Sequence, residues 1–90
     1  MFVQHSIMVD QFLSYLQYEK RYSPRTVQSY DGDLKEFEAY IKVLGNDLSW
    51  HSVDADVIRG WMESMMDKGN VATTINRRLS ALRSFYRFAL

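Results

Sequence analysis

The 90-residue sequence contains no cysteine. This excludes a disulfide framework, a zinc finger and a thiol nucleophile, and is consistent with a reducing cytoplasm. With one proline and four glycines, long stretches can be helical without interruption. No apolar run approaches the roughly 20 residues of a membrane span, and residues 1–7 lack the basic cluster of a secretory signal. We therefore expect a cytoplasmic protein with no membrane partner.

Acidic residues are missing from two stretches, although the chain as a whole has 11 basic and 11 acidic residues and no net charge. Residues 20–30 carry three basic residues and no acid, and residues 71–90 carry four arginines and no acid. The overall balance argues against a nucleic-acid partner, whereas this segregation favours an acidic polymer on one side of the protein. The alternative is chance clustering on solvated helices.

Apolar residues recur at steps of three and four, and no alternating pattern persists, so we predict four helices and no sheet. The first helix runs from about Ile7 to Lys20. The second begins with Ser23 as N-cap and Pro24 at the first helical position. Gly32 is a weak point within it. It ends at Gly45-Asn46, where either residue tolerates a left-handed cap.

Residues 46–53 are predicted to form a loop, after which Asp54 or Ser52 caps a third helix. That helix extends to about Lys68 and is stopped by Gly69-Asn70. The fourth begins near residues 71–73 and runs to Leu90, where no Gly, Asn or Pro marks a terminus, so further protein is expected downstream. The short loops predict an all-α fold, a compact four-helix bundle.

The fourth helix has two contrasting faces when its residues are placed at about 100° per step. The face predicted to be buried contains Ile75, Leu79, Leu82, Tyr86 and Ala89. The opposite face contains Thr73, Asn76, Arg77, Ser80, Arg83, Ser84 and Arg87. Arginine matches phosphate oxygens and guanine, asparagine reads adenine, and hydroxyls bind phosphate, so this face fits a duplex groove. The alternative is an ordinary solvated face, although such faces usually alternate charge sign.

A second candidate surface surrounds the start of the second helix. It comprises Lys20, Arg21, Arg25, Gln28 and Ser29. A helix start presents free amides and a positive dipole end, so a phosphate fits there. The alternative is that the local Ser-Pro-Arg-Thr sequence only begins a helix, and both can hold together.

These stretches resemble the N-terminal, SAM-like core-binding domain of the tyrosine recombinase or phage integrase family, with the closest likeness to its Xer-like members. The second helix matches the pattern Ser23-x-x-Thr26-x-x-x-Tyr30-x-x-Asp33-Leu34-x-x-Phe37. The fourth matches Thr74-Ile75-Asn76-Arg77-Arg78-Leu79-Ser80-Ala81-Leu82-Arg83-Ser84-Phe85-Tyr86-Arg87-Phe88. The first contributes Phe12-Leu13-x-Tyr15-Leu16-x-x-Glu19-Lys20. The resemblance covers nearly the whole chain in the right order.

The resemblance implies a domain that forms half of a C-shaped clamp around a double-stranded DNA half-site, beside other recombinase protomers. Its second and fourth helices would face the duplex. The catalytic domain, which follows in the family and is expected to be absent from this chain, supplies an arginine–lysine–histidine cluster and the tyrosine nucleophile. We expect no cofactor and weak, salt-dependent DNA binding. Arg25, Arg77, Arg83 and Arg87 are the candidates for phosphates, and Asn76, Arg77 and Ser80 are those for base edges.

Two rival functions remain open. One is a protein-interaction bundle without a nucleic-acid role, suggested by Phe85 and Phe88 beside the buried face and by a partly exposed Met65-Met66 pair. The other is an autonomous enzyme, which the absence of a base–nucleophile pair disfavours. Tyr30 and Tyr86 are interpreted as core or rim residues, and Asp54 and Asp56 as helix-start charges. His5 and His51 lack a second ligand at metal spacing.

Overall fold

A computed structural model describes residues 7–45 and 49–89 of the chain. Four helices follow one another: α1 (Ile7–Tyr18), α2 (Pro24–Leu44), α3 (Ala55–Asp67) and α4 (Ala72–Ala89), with a 3₁₀ turn at Trp50–Ser52. The described ranges contain no strand, so the predicted all-α four-helix fold is confirmed. The predictions made for His5, Asn46 and Leu90 lie outside the described residues.

Side-chain caps begin α2 and α3. The Ser23 hydroxyl accepts a hydrogen bond from the Thr26 amide at 3.2 Å, and Pro24 follows it as the first helical residue. The Asp54 carboxylate accepts from the Val57 amide at 3.0 Å. Asp54 is therefore the cap of α3, while Ser52 hydrogen-bonds within the 3₁₀ turn. Both starts follow from local sequence, because a capping side chain reaches only three residues ahead.

The helix ends agree less closely with the predictions. The α3 end is as expected, since Gly69 has a φ of +86° and the Asn70 amide donates to the Met65 carbonyl at 3.0 Å. The first helix ends at Tyr18, two residues earlier than predicted. Gly45 has a φ of 169°, which is extended backbone, so the expected left-handed cap at this residue is wrong.

A chain of aromatic rings forms the centre of the core and joins all four helices. Phe12 of α1 lies 5.6 Å from Phe85 of α4 between ring centroids, and Phe85 lies 4.9 Å from Trp50 of the 3₁₀ turn. Trp50 lies 5.6 Å from Phe37 of α2, which lies 4.9 Å from Trp61 of α3. Edge-to-face and tilted pairs at these distances are favourable, so one continuous cluster determines how the helices pack.

The buried face of α4 is wider than predicted. Ile75 and Leu82 are buried as expected, whereas Leu79, Tyr86 and Ala89 are only partly buried. Phe85, placed beside this face by the sequence analysis, is fully buried. The reason is that α4 contacts α1, α2 and α3 together, so more than one side of it is covered.

Met65 was also predicted to be partly exposed and is instead 2% exposed, whereas Met66 is 59% exposed. Met65 falls on the side of α3 that meets the core cluster, and its neighbour in sequence points about 100° away. The methionine pair is therefore divided between core and surface. Of the four apolar residues named for the protein-interaction hypothesis, Met66 and Phe88 are exposed, while Met65 and Phe85 are buried.

Candidate nucleic-acid interface

Nearly all of the predicted DNA-contacting residues are on the surface. Ser84 is half-buried, and the others are exposed: Lys20, Arg21, Arg25, Gln28, Ser29, Thr73, Asn76, Arg77, Ser80, Arg83 and Arg87. α4 itself contains no acidic residue. The predicted polar face of this helix is therefore present and accessible along its length.

Arg77 differs from the other arginines on this face because α2 supplies it with a carboxylate. Its Nε donates to Asp33 Oδ2 at 3.1 Å, and its Nη2 donates to Asp33 Oδ1 at 2.8 Å. This is the bidentate geometry in which arginine binds carboxylates most strongly. The hydrogen bond and then the charge of Asp33 raise the pKa of Arg77 above its usual value. The Nε and Nη2 edge of the Arg77 guanidinium is thus already engaged.

Asp33 is 4% exposed, and it lies at the seam between α2 and α4. Arg78 approaches it as well, with its Nε 3.7 Å from Oδ1, the oxygen that also accepts from Arg77 Nη2. The Arg78 Nε is itself buried without a hydrogen-bond partner. The Arg78 side chain is 19% exposed and lies beside the carboxylate. One buried acid therefore faces two consecutive arginines.

The remaining arginines of the face are available for an external partner. Arg83 and Arg87 are exposed, as is Arg25 at the start of α2. Within the ranges that the structure describes, none of the three forms an ion pair. An exposed guanidinium that is not ion-paired can meet a phosphate without first breaking another contact.

Folding brings one residue of the second predicted surface beside the α4 face. Lys20, from the turn after α1, lines the same cavity as Ser84 and Arg87 of α4, whereas the other four residues of that surface do not line it. Gln28 lies about 140° around α2 from Asp33, the residue that meets α4. Ser29 lies only about 40° from Asp33 by the same measure and is on the α4 side.

Comparison with known proteins identifies the family of this domain. Residues 9–90 match the family described as phage integrase, N-terminal SAM-like domain. The chain belongs to this family.

Several curated relatives of this integrase domain are tyrosine recombinases. Tyrosine recombinase XerC of Lacticaseibacillus casei is 38% identical over 77 residues, which are 86% of this chain and 26% of the relative. XerC of Bacillus subtilis is 37% identical over 79 residues, 88% of this chain and 26% of the relative. Tyrosine recombinase XerD of Oceanobacillus iheyensis is 29% identical over 82 residues, 91% and 28% of the two chains. The chain thus spans about a quarter of the length of these relatives. No solved structure matches it.

Two residues at this interface of the integrase domain were not predicted from the sequence as part of it. Asp33 was noted only as part of a family pattern, although a carboxylate between Tyr30 and Phe37 on an apolar stripe indicates a buried partner for a cation. Tyr22 lines the same cavity as Lys20. The sequence signal that could have identified Tyr22 was the presence of several tyrosines close to a basic turn.

An apolar groove of about 810 Å³ lies beside the arginine face, between the start of α3 and the outer side of α4. Val53, Ile58, Leu79 and Tyr86 contribute its apolar lining, and Arg83 is among its polar residues. Across residues 7–45 and 49–89, no helix is both long and apolar enough to span a bilayer. In those same ranges, no three acidic or histidine side chains are grouped as a metal site requires.

Proposed function

We propose that this domain binds double-stranded DNA as the core-binding module of a site-specific tyrosine recombinase. The observation that carries the proposal is the outward face of α4, which presents exposed arginines and polar side chains with no acid on the helix. Such a surface suits a polyanion, and the net charge of zero is compatible with it because the acidic residues lie elsewhere. This role belongs in the compartment that holds the chromosome, the cytoplasm of a bacterium.

The polar residues have different tasks in this proposal. Arg83, Arg87 and Arg25 neutralise phosphates, while Asn76 and Ser80 reach base edges. Arg77 contributes less to reading bases than its position on the polar face of α4 suggests, because Asp33 already binds its Nε and Nη2. Its free Nη1 remains for a phosphate, in an orientation that the carboxylate defines.

Strand cleavage and joining are assigned to a separate catalytic domain of the recombinase, and this module is proposed to have no enzymatic activity of its own. The support is that Tyr86, the single tyrosine of α4, donates its hydroxyl to the Trp50 carbonyl at 2.6 Å. A phenol whose hydroxyl donates to a backbone carbonyl is not hydrogen-bonded to a base that could activate it. Suicide DNA substrates incubated with this chain alone should remain uncleaved, and accumulation of a covalent protein–DNA product would contradict the assignment.

The DNA-binding proposal is tested by removing one free arginine. Arg83→Gln should weaken binding to a duplex of arbitrary sequence, because phosphate contacts do not require the cognate site. The slope of log affinity against log salt should fall by about 0.9, the contribution of one neutralised phosphate. Arg59→Gln is the matched control, since Arg59 lies on α3 and is paired with Asp56 at 2.6 Å. Equal affinities and slopes for the parent and Arg83→Gln would refute the assignment.

A protein-docking role is the second candidate, and the groove between α3 and α4 favours it. In the recombinase, the catalytic domain or a neighbouring protomer would occupy such a surface. A sizing column at low and high salt, run beside the duplex titration, separates the two candidates. Self-association that is insensitive to salt, without any DNA binding, would support docking as the main role, whereas a monomer that binds DNA would support the first proposal.

A further inference from the structure

A small cup lies where the turn after α1 meets the C-terminal part of α4. Its volume is about 260 Å³, and its polar lining includes Lys20, Tyr22, Tyr30, Ser84 and Arg87 beside Tyr15 of α1. The side chains come from three separate segments of the chain, so only folding brings them together. We refer to this set of five residues as the cup.

The cup has a firm base. Phe12 and Leu16 lie beneath it and are 1% and 3% exposed. The rings of Tyr22 and Tyr30 stack with centroids 6.1 Å apart, and Phe12 meets Tyr30 edge-on at 5.9 Å. Because these contacts hold the rings in place, the cup is preformed and needs little rearrangement to bind a ligand.

The turn after α1 contains one residue in the left-handed region. Arg21 has a φ of 58°, a conformation that residues with a side chain rarely adopt. This conformation reverses the chain between Lys20 and Tyr22, which both line the cup. The Tyr22 amide donates to the Leu16 carbonyl at 3.0 Å and fixes the reversal.

The charge in the cup is entirely positive. Lys20 and Arg87 both line it, and no carboxylate does. Glu19, the acid nearest in sequence, lines a different cavity on the outer side of α1. Neither cation forms an ion pair with any residue in the part of the chain that the structure describes. Two unneutralised cations beside hydroxyl donors favour an anion with several oxygens.

We propose that the cup holds one sugar–phosphate unit of the DNA backbone. Lys20 and Arg87 bind the phosphate oxygens, the Ser84 hydroxyl donates to one of them, and the tyrosine edges pack against the deoxyribose. The inference rests on the proposed function and adds to it a fixed anchor point that joins α4 to the α1–α2 turn. The anchor sets the register of the domain on the duplex and reads no base.

The first experiment uses inorganic phosphate as the probe and records ¹⁵N–¹H spectra of the intact chain. Phosphate should shift the amide signals of residues 20–22 and 84–87 in a saturable way, and both Lys20→Gln and Arg87→Gln should abolish the saturation. Lys42→Gln is the control, because Lys42 lies at the other end of α2, about 27 Å from its start at 1.5 Å per residue. Unsaturated shifts, or shifts spread evenly over all basic residues, would overturn the cup as an anion site.

The second experiment measures duplex affinity with the same variants. Lys20→Gln and Arg87→Gln should each weaken binding roughly five- to tenfold at low salt and lower the salt slope by about 0.9. Lys42→Gln and Arg59→Gln should leave both unchanged. If phosphate saturates the cup but no duplex binds, the proposed function fails and the anion site stands. If the duplex binds and neither cup variant affects it, the cup inference fails while the proposed function stands.

Discussion

Asp33 is the residue on which the junction of α2 and α4 depends. It places a carboxylate at 4% exposure against Arg77 and Arg78, which come 44 and 45 residues later in the chain. A buried charge is costly unless it is paired and hydrogen-bonded, and the fork of Arg77 meets that need. The pair therefore helps to fix how α4 lies beside α2, and with it the direction in which the exposed arginines of α4 point.

Replacing Asp33 with asparagine should destabilise the fold by about 1–3 kcal/mol. The lower part of this range applies if solvent screens the pair, since the Arg77 side chain is 55% exposed. Urea unfolding measures the change. The control is Asp56→Asn, which removes a surface pair with Arg59 whose side chains are 86% and 59% exposed, and which should cost under about 1 kcal/mol. Equal losses for the two variants would mean that Asp33 is an ordinary surface acid.

Tyr86 makes a second long-range contact, and this contact depends on a single side-chain atom. Its hydroxyl donates to the Trp50 carbonyl at 2.6 Å, which attaches the 3₁₀ turn to α4. Burial raises the pKa of Tyr86 to about 12. Because the folded state holds this proton more tightly than the unfolded state does, the resulting stability is complete below pH 10 and is lost as the pH rises towards 12.

Tyr86→Phe should therefore lower stability at pH 7 by about 0.5–1.5 kcal/mol, the usual net value of one hydrogen bond. The difference between the parent and the variant should shrink between pH 10 and pH 12, because the parent alone loses the contribution of this hydroxyl there. Denaturant unfolding at several pH values compares the two proteins. A gap that stays constant across this range would show that Tyr86 titrates like an exposed phenol.

Among the helices, the close approach of α3 to α2 is made at a glycine. A Cβ added at Gly60 would lie 2.5 Å from the hydroxyl oxygen of Tyr40. Gly32, in the middle of α2, has no atom within 4 Å of such a Cβ. The two glycines are thus equivalent in helix propensity and different in packing, since only Gly60 has another helix against it.

Gly32→Ala should stabilise the protein by about 0.5–1 kcal/mol, because alanine is the better helix former. Gly60→Ala should give no gain or a net loss, since the added methyl group displaces the Tyr40 ring. Thermal unfolding of both variants measures this contrast. Tyr40→Phe in the Gly60→Ala background should recover stability by removing the clashing oxygen. A gain in Gly60→Ala equal to that of Gly32→Ala would show that α2 and α3 are not in close contact there.

For the molecule as a whole, the chain of aromatic rings carries most of the packing between helices. Phe85 is fully buried between Phe12 and Trp50, whereas Phe88, one turn further along α4, is 37% exposed. A domain of this size has a total stability of only about 5–10 kcal/mol. Loss of a single central ring therefore removes a large fraction of the free energy of unfolding of the four-helix fold.

Phe85→Ala should cost about 3–5 kcal/mol, the usual range for a buried phenylalanine. Phe88→Ala should cost less than half as much, because its ring already contacts water. Circular dichroism during urea unfolding compares them. If Phe85→Ala proves too unstable to study, Phe85→Leu should still be clearly less stable than Phe88→Leu. Similar losses at the two positions would restore the earlier placement of Phe85 at the edge of the core.

The sequence by itself determined the helices, their caps and the composition of the α4 surface. Periodicity and capping act between residues three or four apart, so Ser23, Asp54 and Gly69 could be assigned their roles without a fold. The absence of acids on α4 was equally local. For the same reason, the α1 end at Tyr18 and the extended Gly45 were missed, since helix ends depend on where the following chain must go.

Tertiary structure alone decided which of those surface residues are engaged in ion pairs and which lie together. Asp33 reaches Arg77 across 44 residues, and Lys20 and Arg87 line one cup although they are distant in sequence. Phe85 became central because three helices cover α4, which a single helical wheel cannot represent. The physical reason is that pairing and burial depend on distances between elements. Those distances are set by how the aromatic core packs and not by any local pattern.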